Sequence, residues 1–237
     1  IGSSRAMVAV AMTLAATAPA MAPVLITGEP GTGRDLAARM LHALSNRSDG
    51  PFRILDAASS DPQVVEAQLF DDTGLLFSAP DTTLYLANLP AMPLALQRRL
   101  LPLLSSGNET DLAGRRRSLG NLRVVASTSA LPEHDIRRGL LDPALYNLLA
   151  AIRIDLPPLR ARERDVVEIA RAALAHFASE QGKTFAGLSA PVEELFCHLP
   201  WPGNVTQLMQ LMRTVVADNP GGTITLGMLP RDLVPLP

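Results

Sequence analysis

The sequence is short of the residues that build disulfide and metal chemistry. It holds one cysteine, Cys197, which excludes an internal disulfide and fits a reducing compartment, so a cytoplasmic location is expected. Its four histidines, His42, His134, His176 and His198, share no metal-ligand spacing with one another or with Cys197, which argues against a zinc-type centre. A formal charge of −2 over 237 residues excludes a polycation or an acidic tail, and nothing in it demands nucleic acid. Internal repeats and low-complexity linkers are absent as well. So is a convincing leader. The stretch from Ala6 to Ile26 is alanine-rich and contains "APAMA", but only Arg5 precedes it, Pro19 and Pro23 interrupt it, and it runs straight into a glycine-rich turn. A helix followed by a buried strand is expected there, with no membrane partner.

What is present is a chain that is 47% hydrophobic, long enough to bury a sizeable core. Short apolar runs alternate with helical stretches, the arrangement of a parallel sheet covered by helices. Strands are predicted over Val24–Gly28, Phe52–Ala57, Thr82–Leu89, Leu122–Thr128 and Ala151–Leu156. Helices are predicted over Arg34–Leu44 and over Leu94–Leu101, the second stopping near Pro102. After "DLPPLRARERD" the strand signals stop, and only helices are predicted: Asp165–Gln181, Ala190–His198 and Val205–Val216. The expected organisation is an α/β core over residues 1–159 and a small helical lid over 160–237.

The first strand opens into "LITGEPGTGRD", Leu25 to Asp35. This is nearly a phosphate-binding loop, in which Gly, four residues, Gly, Lys and Ser or Thr wrap nucleotide phosphates with backbone N–H groups and the lysine. Gly28 and Gly33 keep the spacing, but Arg34 stands at the lysine position and Asp35 follows it. Arginine keeps the charge while being a longer planar fork. Gly28, Gly31 and Gly33 still allow backbone amides and the following helix N-terminus to face an anion.

Seven separated segments, "IGSSRAM", "VLITGEPGTG", "LHALSNRSDGPF", "MPLALQRRLL", "LRVVAST", "IRIDLPPLRAR" and "WPGNVTQL", together resemble the central AAA+ domain of NtrC-type, sigma-54-dependent transcriptional activators. The resemblance spans nearly the whole chain. It implies a P-loop NTPase-like parallel sheet with flanking helices and a helical lid. It also implies a nucleotide-binding set made of Ile1, Gly2, Gly28, Glu29, Gly31, Thr32, Gly33, Arg34, Asp35, Leu159, Arg160, Gly203 and Asn204.

Against that family the chain departs at each catalytic position. The Walker B Asp-Glu pair, which organises Mg²⁺ and polarises the attacking water, aligns with Ala87 and Asn88. Asp81, at the strand's other end, is too far for a slip of register to supply it. The asparagine that restrains the catalytic glutamate corresponds to Asp56. Ser129 replaces the first sensor asparagine, and Thr206 the second sensor arginine. Asp142 and Leu148 take the places of two finger arginines, whose charge on the transferring phosphoryl group is worth roughly a thousandfold or more in rate. The sigma-contacting Gly-Ala-Phe-Thr-Gly-Ala loop is missing between Phe70 and the Walker B strand, with Thr73, Gly74 and Phe77 its nearest remnants. The Arg115–Arg117 run reads as a solvated turn, and Trp201 as a residue packing the lid against the core.

The expectation is therefore a regulatory, non-hydrolysing AAA+ module. It would self-associate, bind ATP or ADP weakly and without Mg²⁺, reach DNA only through a domain outside this chain, and leave sigma-54 polymerase alone. Two alternatives stay open. One is an active ATPase drawing on Glu29, Asp35 and Asp56; the other is a module for a different phosphorylated effector, such as a cyclic dinucleotide.

Overall fold

A computed structural model describes residues 2–58, 61–71, 73–77, 81–110, 116–119, 121–231 and 233. The chain divides into two compact units.

The larger unit comprises Val10–Gly28 and Arg34–Leu156. Its centre is a five-stranded parallel sheet of β1 (Val24–Thr27), β2 (Phe52–Asp56), β3 (Thr83–Ala87), β6 (Arg123–Thr128) and β7 (Ile152–Asp155), in the order β2-β3-β6-β1-β7. The three inner strands are buried at every position, whereas the edge strands β2 and β7 are only partly covered. This is why the inner strands read as unbroken apolar runs: parallel strands are covered on both faces. Helices α2 (Arg34–Ala43), α3 (Pro62–Phe70), α4 (Leu94–Ser106), α5 (Pro132–Arg137) and α6 (Pro143–Leu149) connect the strands. Leu25, Leu84, Ala126, Leu100, Leu145 and their neighbours form its core. Helix α1 (Arg5–Thr17), whose residues up to Ala9 belong to the smaller unit, buries Met7, Val10 and Leu14 at helical spacing, as the Ala6–Ile26 reading anticipated.

Two expectations fail in this unit. Helix α4 does not stop at Pro102 but runs on to Ser106, where Gly107 at φ +71° caps it. Pro102 and Arg98, whose carbonyl the missing N–H would have met, both lie on the exposed side, where water can take that carbonyl. Arg116 and Arg117 belong to a strand, β5 (Arg116–Ser118), paired antiparallel with β4 (Asn108–Thr110). Arg115 lies outside the described residues.

The smaller unit comprises Ile1–Ala9, Glu29–Gly33 and Pro157–Pro237. It contains α7 (Asp165–Glu180), α8 (Ala190–His198) and α9 (Asn204–Asp218), near the predicted bounds. The expectation of helices alone fails, because β8 (Thr184–Leu188) and β9 (Gly221–Ile224) pair in parallel. A Cβ at Gly221 would lie 2.5 Å from the Thr184 carbonyl oxygen, so this ladder requires glycine where a sequence reading sees a turn. Trp201 is buried inside this unit. Its indole N–H donates to the Phe196 carbonyl at 2.8 Å and its ring meets Phe196 edge-on at 5.4 Å.

Candidate nucleotide site

In the smaller unit, the loop residues Glu29–Gly33 are gripped by lid side chains. Asn204 is fully buried, and its amide donates to Glu29 and to the Pro30 carbonyl while its oxygen accepts the Leu159 N–H at 2.8 Å. Arg160 forks onto both Glu29 carboxylate oxygens at 2.8 and 2.6 Å. That contact is the main reason the Glu29 carboxyl titrates below the usual range, against some burial and with help from Asn204. Thr32 bonds the Glu29 carbonyl through its hydroxyl, and its own carbonyl accepts from Arg162 at 2.6 Å. The Val205 N–H meets the Gly31 carbonyl at 2.9 Å. Gly31 has φ +79°, and a Cβ there would fall 2.2 Å from the Gly203 carbonyl oxygen, so only glycine fits. Gly33, at φ +98°, has open space where a Cβ would go. Seven sequence-predicted residues, Glu29, Gly31, Thr32, Leu159, Arg160, Gly203 and Asn204, are thus brought together, their polar groups bonded among themselves and to Arg162, Val205 and Gln207. Gly2 also lies in this unit, where a Cβ would strike the Asp165 carboxylate that accepts from Ser3 and Ser4. Ile1 lies outside the described residues.

In the larger unit, Gly28 follows β1 and Arg34 and Asp35 open α2. The Arg34 guanidinium does not stand free. One NH₂ group donates to the Thr128 carbonyl and the other to the Asn88 side-chain oxygen, both at 2.8 Å. The Asn88 amide nitrogen donates onward to Asp56 at 2.8 Å, and Asp56 also accepts the Ala58 N–H. The resemblance gives the Asp56 position an amide and the Asn88 position an acid. In this chain the acid is Asp56 and the amide Asn88, and the two are hydrogen-bonded. Ala87 is buried at the position of the first Walker B carboxylate. Asp35 accepts the Tyr85 phenol proton at 2.6 Å, and the Ser127 hydroxyl lies 2.9 Å from the same phenol oxygen. Burial first, and the Asp35 carboxylate second, hold the phenol well above its ordinary range.

The remaining family positions carry structural bonds. Ser129 donates to Asp135 and accepts the Leu131 N–H, forming a local turn. Asp142 caps α6, accepting the Ala144 and Leu145 N–H groups at 2.9 and 3.1 Å. Phe77 is half-buried against the core. Among the described residues, no three His, Cys, Asp or Glu side chains converge as a metal site would require, and no helix is long and apolar enough to cross a membrane. Sequence reasoning missed Arg162 and Tyr85. A basic residue two places after Arg160 and a lone aromatic inside an apolar strand were the available signals.

A family model described as "Sigma-54 interaction domain" matches residues 1–155, and one described as "AAA+ ATPase lid domain" matches residues 160–235. The regulatory protein LuxO of Vibrio cholerae is 38% identical over 98% of this chain and 54% of its own length. The DNA-binding transcriptional regulator NtrC of Rhizobium meliloti is 33% identical over 98% of this chain and 50% of its own length. The chain therefore spans about half the length of the curated relatives it matches. A crystal structure of NtrX from Brucella abortus in complex with ADP superposes with a TM-score of 0.87, at 27% identity over 98% of this chain and 55% of that one. Another holds ATP, with the same TM-score. With both its sheet unit and its lid matched in order, this chain belongs to the sigma-54 interaction domain family of NtrC- and LuxO-type transcriptional regulators.

Proposed function

We propose that this chain is the assembly domain of a cytoplasmic transcriptional regulator, binding adenine nucleotide weakly and not hydrolysing it. The observation that carries the reading is the Arg34–Asn88–Asp56 chain of hydrogen bonds. The cation that would grip phosphate is tied to a neutral amide at the position of the catalytic acid, and the Asp56 carboxylate is bonded to that same amide. The glycine loop fits a polyphosphate, since Gly31 and Gly33 have positive φ and the loop leads directly into a helix. The NtrX structures with ADP and ATP support that fit. Mg²⁺ does not fit: Ala87 supplies no ligand, and among the described residues no three His, Cys, Asp or Glu side chains converge to hold an ion. Glu29, Asp35 and Asp56, the carboxylates an unusual ATPase would draw on, already accept hydrogen bonds from Arg160, Tyr85 and Asn88.

Self-association of the domain and DNA contact through a segment outside this chain follow from the family. Sigma-54 remodelling does not belong to this reading. Helix α3 ends at Phe70 and β3 begins at Thr83, and so short a connection leaves little chain to project a contact loop; residues 72 and 78–80 of it lie outside the described set.

The test is steady-state phosphate release with Mg²⁺ and ATP, beside calorimetry of ATP, ADP and a cyclic dinucleotide. The expected outcome is background turnover, with weak ATP or ADP binding that Mg²⁺ leaves unchanged. Turnover above about 1 per minute, itself far below ordinary enzyme rates, refutes the non-hydrolysing reading. Preference for the cyclic dinucleotide reassigns the ligand.

A further inference from the structure

Beside the glycine loop, the smaller unit contains a cavity of about 450 Å³, within the range of small-ligand sites. Gly31 and Gly33 form part of its wall, and α9 contributes Thr206, Gln210 and Arg213. Those three residues are spaced four and three apart, so they stand in one row along a single helix face. Thr206 is close to the loop: its hydroxyl would be 3.1 Å from a Cβ at Gly31. It is also the position at which the family keeps a lid arginine.

Two turns further along the same row is Arg213. Its guanidinium lies over the Phe177 ring, 4.9 Å from the centroid, and Phe177 is itself 3% exposed, so the cation is braced on a fixed platform. Arg213 is exposed and makes no ion pair among the described residues. Among the described residues that line the cavity there is no carboxylate. An unneutralised guanidinium, a hydroxyl and an amide thus face a loop whose conformation suits an anion.

We propose that Arg213 binds the phosphate groups of a ligand seated at the glycine loop, supplying from the α9 face the positive charge absent at Thr206. The ligand class is a phosphoanhydride, either a nucleoside diphosphate or inorganic pyrophosphate. The inference rests on the nucleotide reading for the first source and not for the second.

The experiment is calorimetry of the 237-residue protein with ADP, pyrophosphate and adenosine, in the wild type and in the Arg213→Gln and Arg213→Lys variants, with thermal melts confirming that each variant folds. Loss of a charge-assisted contact should weaken ADP and pyrophosphate about tenfold or more in R213Q, with partial recovery in R213K and no change for adenosine. Equal ADP affinity in wild type and R213Q overturns the inference and leaves nucleotide sensing standing. Pyrophosphate binding without ADP binding, lost in R213Q, supports the inference and sinks nucleotide sensing. If the wild type binds neither ligand, both are wrong.

Discussion

Replacing Asp142 by alanine tests whether a position that the family uses for catalysis has become a structural one. The Asp142 carboxylate accepts two backbone N–H groups of the first turn of α6, at 2.9 and 3.1 Å, and is largely buried. Its contact with Arg98 is long, 3.4 Å, and the Arg98 side chain is 69% exposed, so that arm counts for little. The cost of D142A is then that of a lost N-cap whose orphaned donors water reaches poorly, about 1–2 kcal/mol. For a domain of this size that lowers Tm by about 3–6 °C. D142N keeps an oxygen in place and should melt near the wild type.

The capping also has a pH signature. The Leu145 amide, against opposing burial and with aid from the Ala144 amide and Arg98, holds the carboxyl below its usual range. A depressed carboxyl stabilises the fold fully above the unfolded value of about 3.9 and loses that contribution as pH falls through the folded value; D142N lacks this component. Chemical denaturation at pH 7, with thermal melts at pH 7 and pH 3, measures both effects. A D142A variant within about 0.3 kcal/mol of wild type, or a D142N variant as damaged as D142A, refutes the capping argument. The same arithmetic implies that D142R, which would restore a finger arginine, sacrifices the cap and destabilises the fold.

Two further outcomes follow from the geometry. Burial, with Arg123 adding to it against a backbone contact at Gly50, depresses the His42 imidazole, so stability should decline as pH drops below about 6.5, where the unfolded chain takes up the proton first; urea midpoints at pH 7.5 and 5.5 should show this slope in the wild type and a flatter one in His42→Gln. Gly31→Ala meets the Gly203 carbonyl at 2.2 Å as well as the wrong φ, and should cost about 2–4 kcal/mol, more than Gly33→Ala, whose only penalty is backbone strain; equal unfolding free energies for the two variants would contradict the close approach.

Much of this protein was legible in its residue order. The five sheet strands fell near their expected places, and the three inner ones read as apolar runs because they are covered on both faces and lose any alternation that could mislead. The glycine loop and the arginine at its lysine position were equally plain, since identity at a fixed spacing needs no third dimension. The lid ladder was not readable, because 32 residues separate the end of β8 at Leu188 from the start of β9 at Gly221, and a glycine-bearing run of four or five residues carries no periodic signal of its own. Nor could Pro102 announce that it would be tolerated; that depended on which side of α4 faced water. The uses of the altered residues were decided in the same way. Sequence alone gave Asp142 as a charge in the wrong place and Asn88 as a lost acid. Tertiary contacts made the first a helix cap and joined the second to Arg34 and Asp56, because hydrogen-bond partners are chosen by distance in space between segments that the chain order keeps apart.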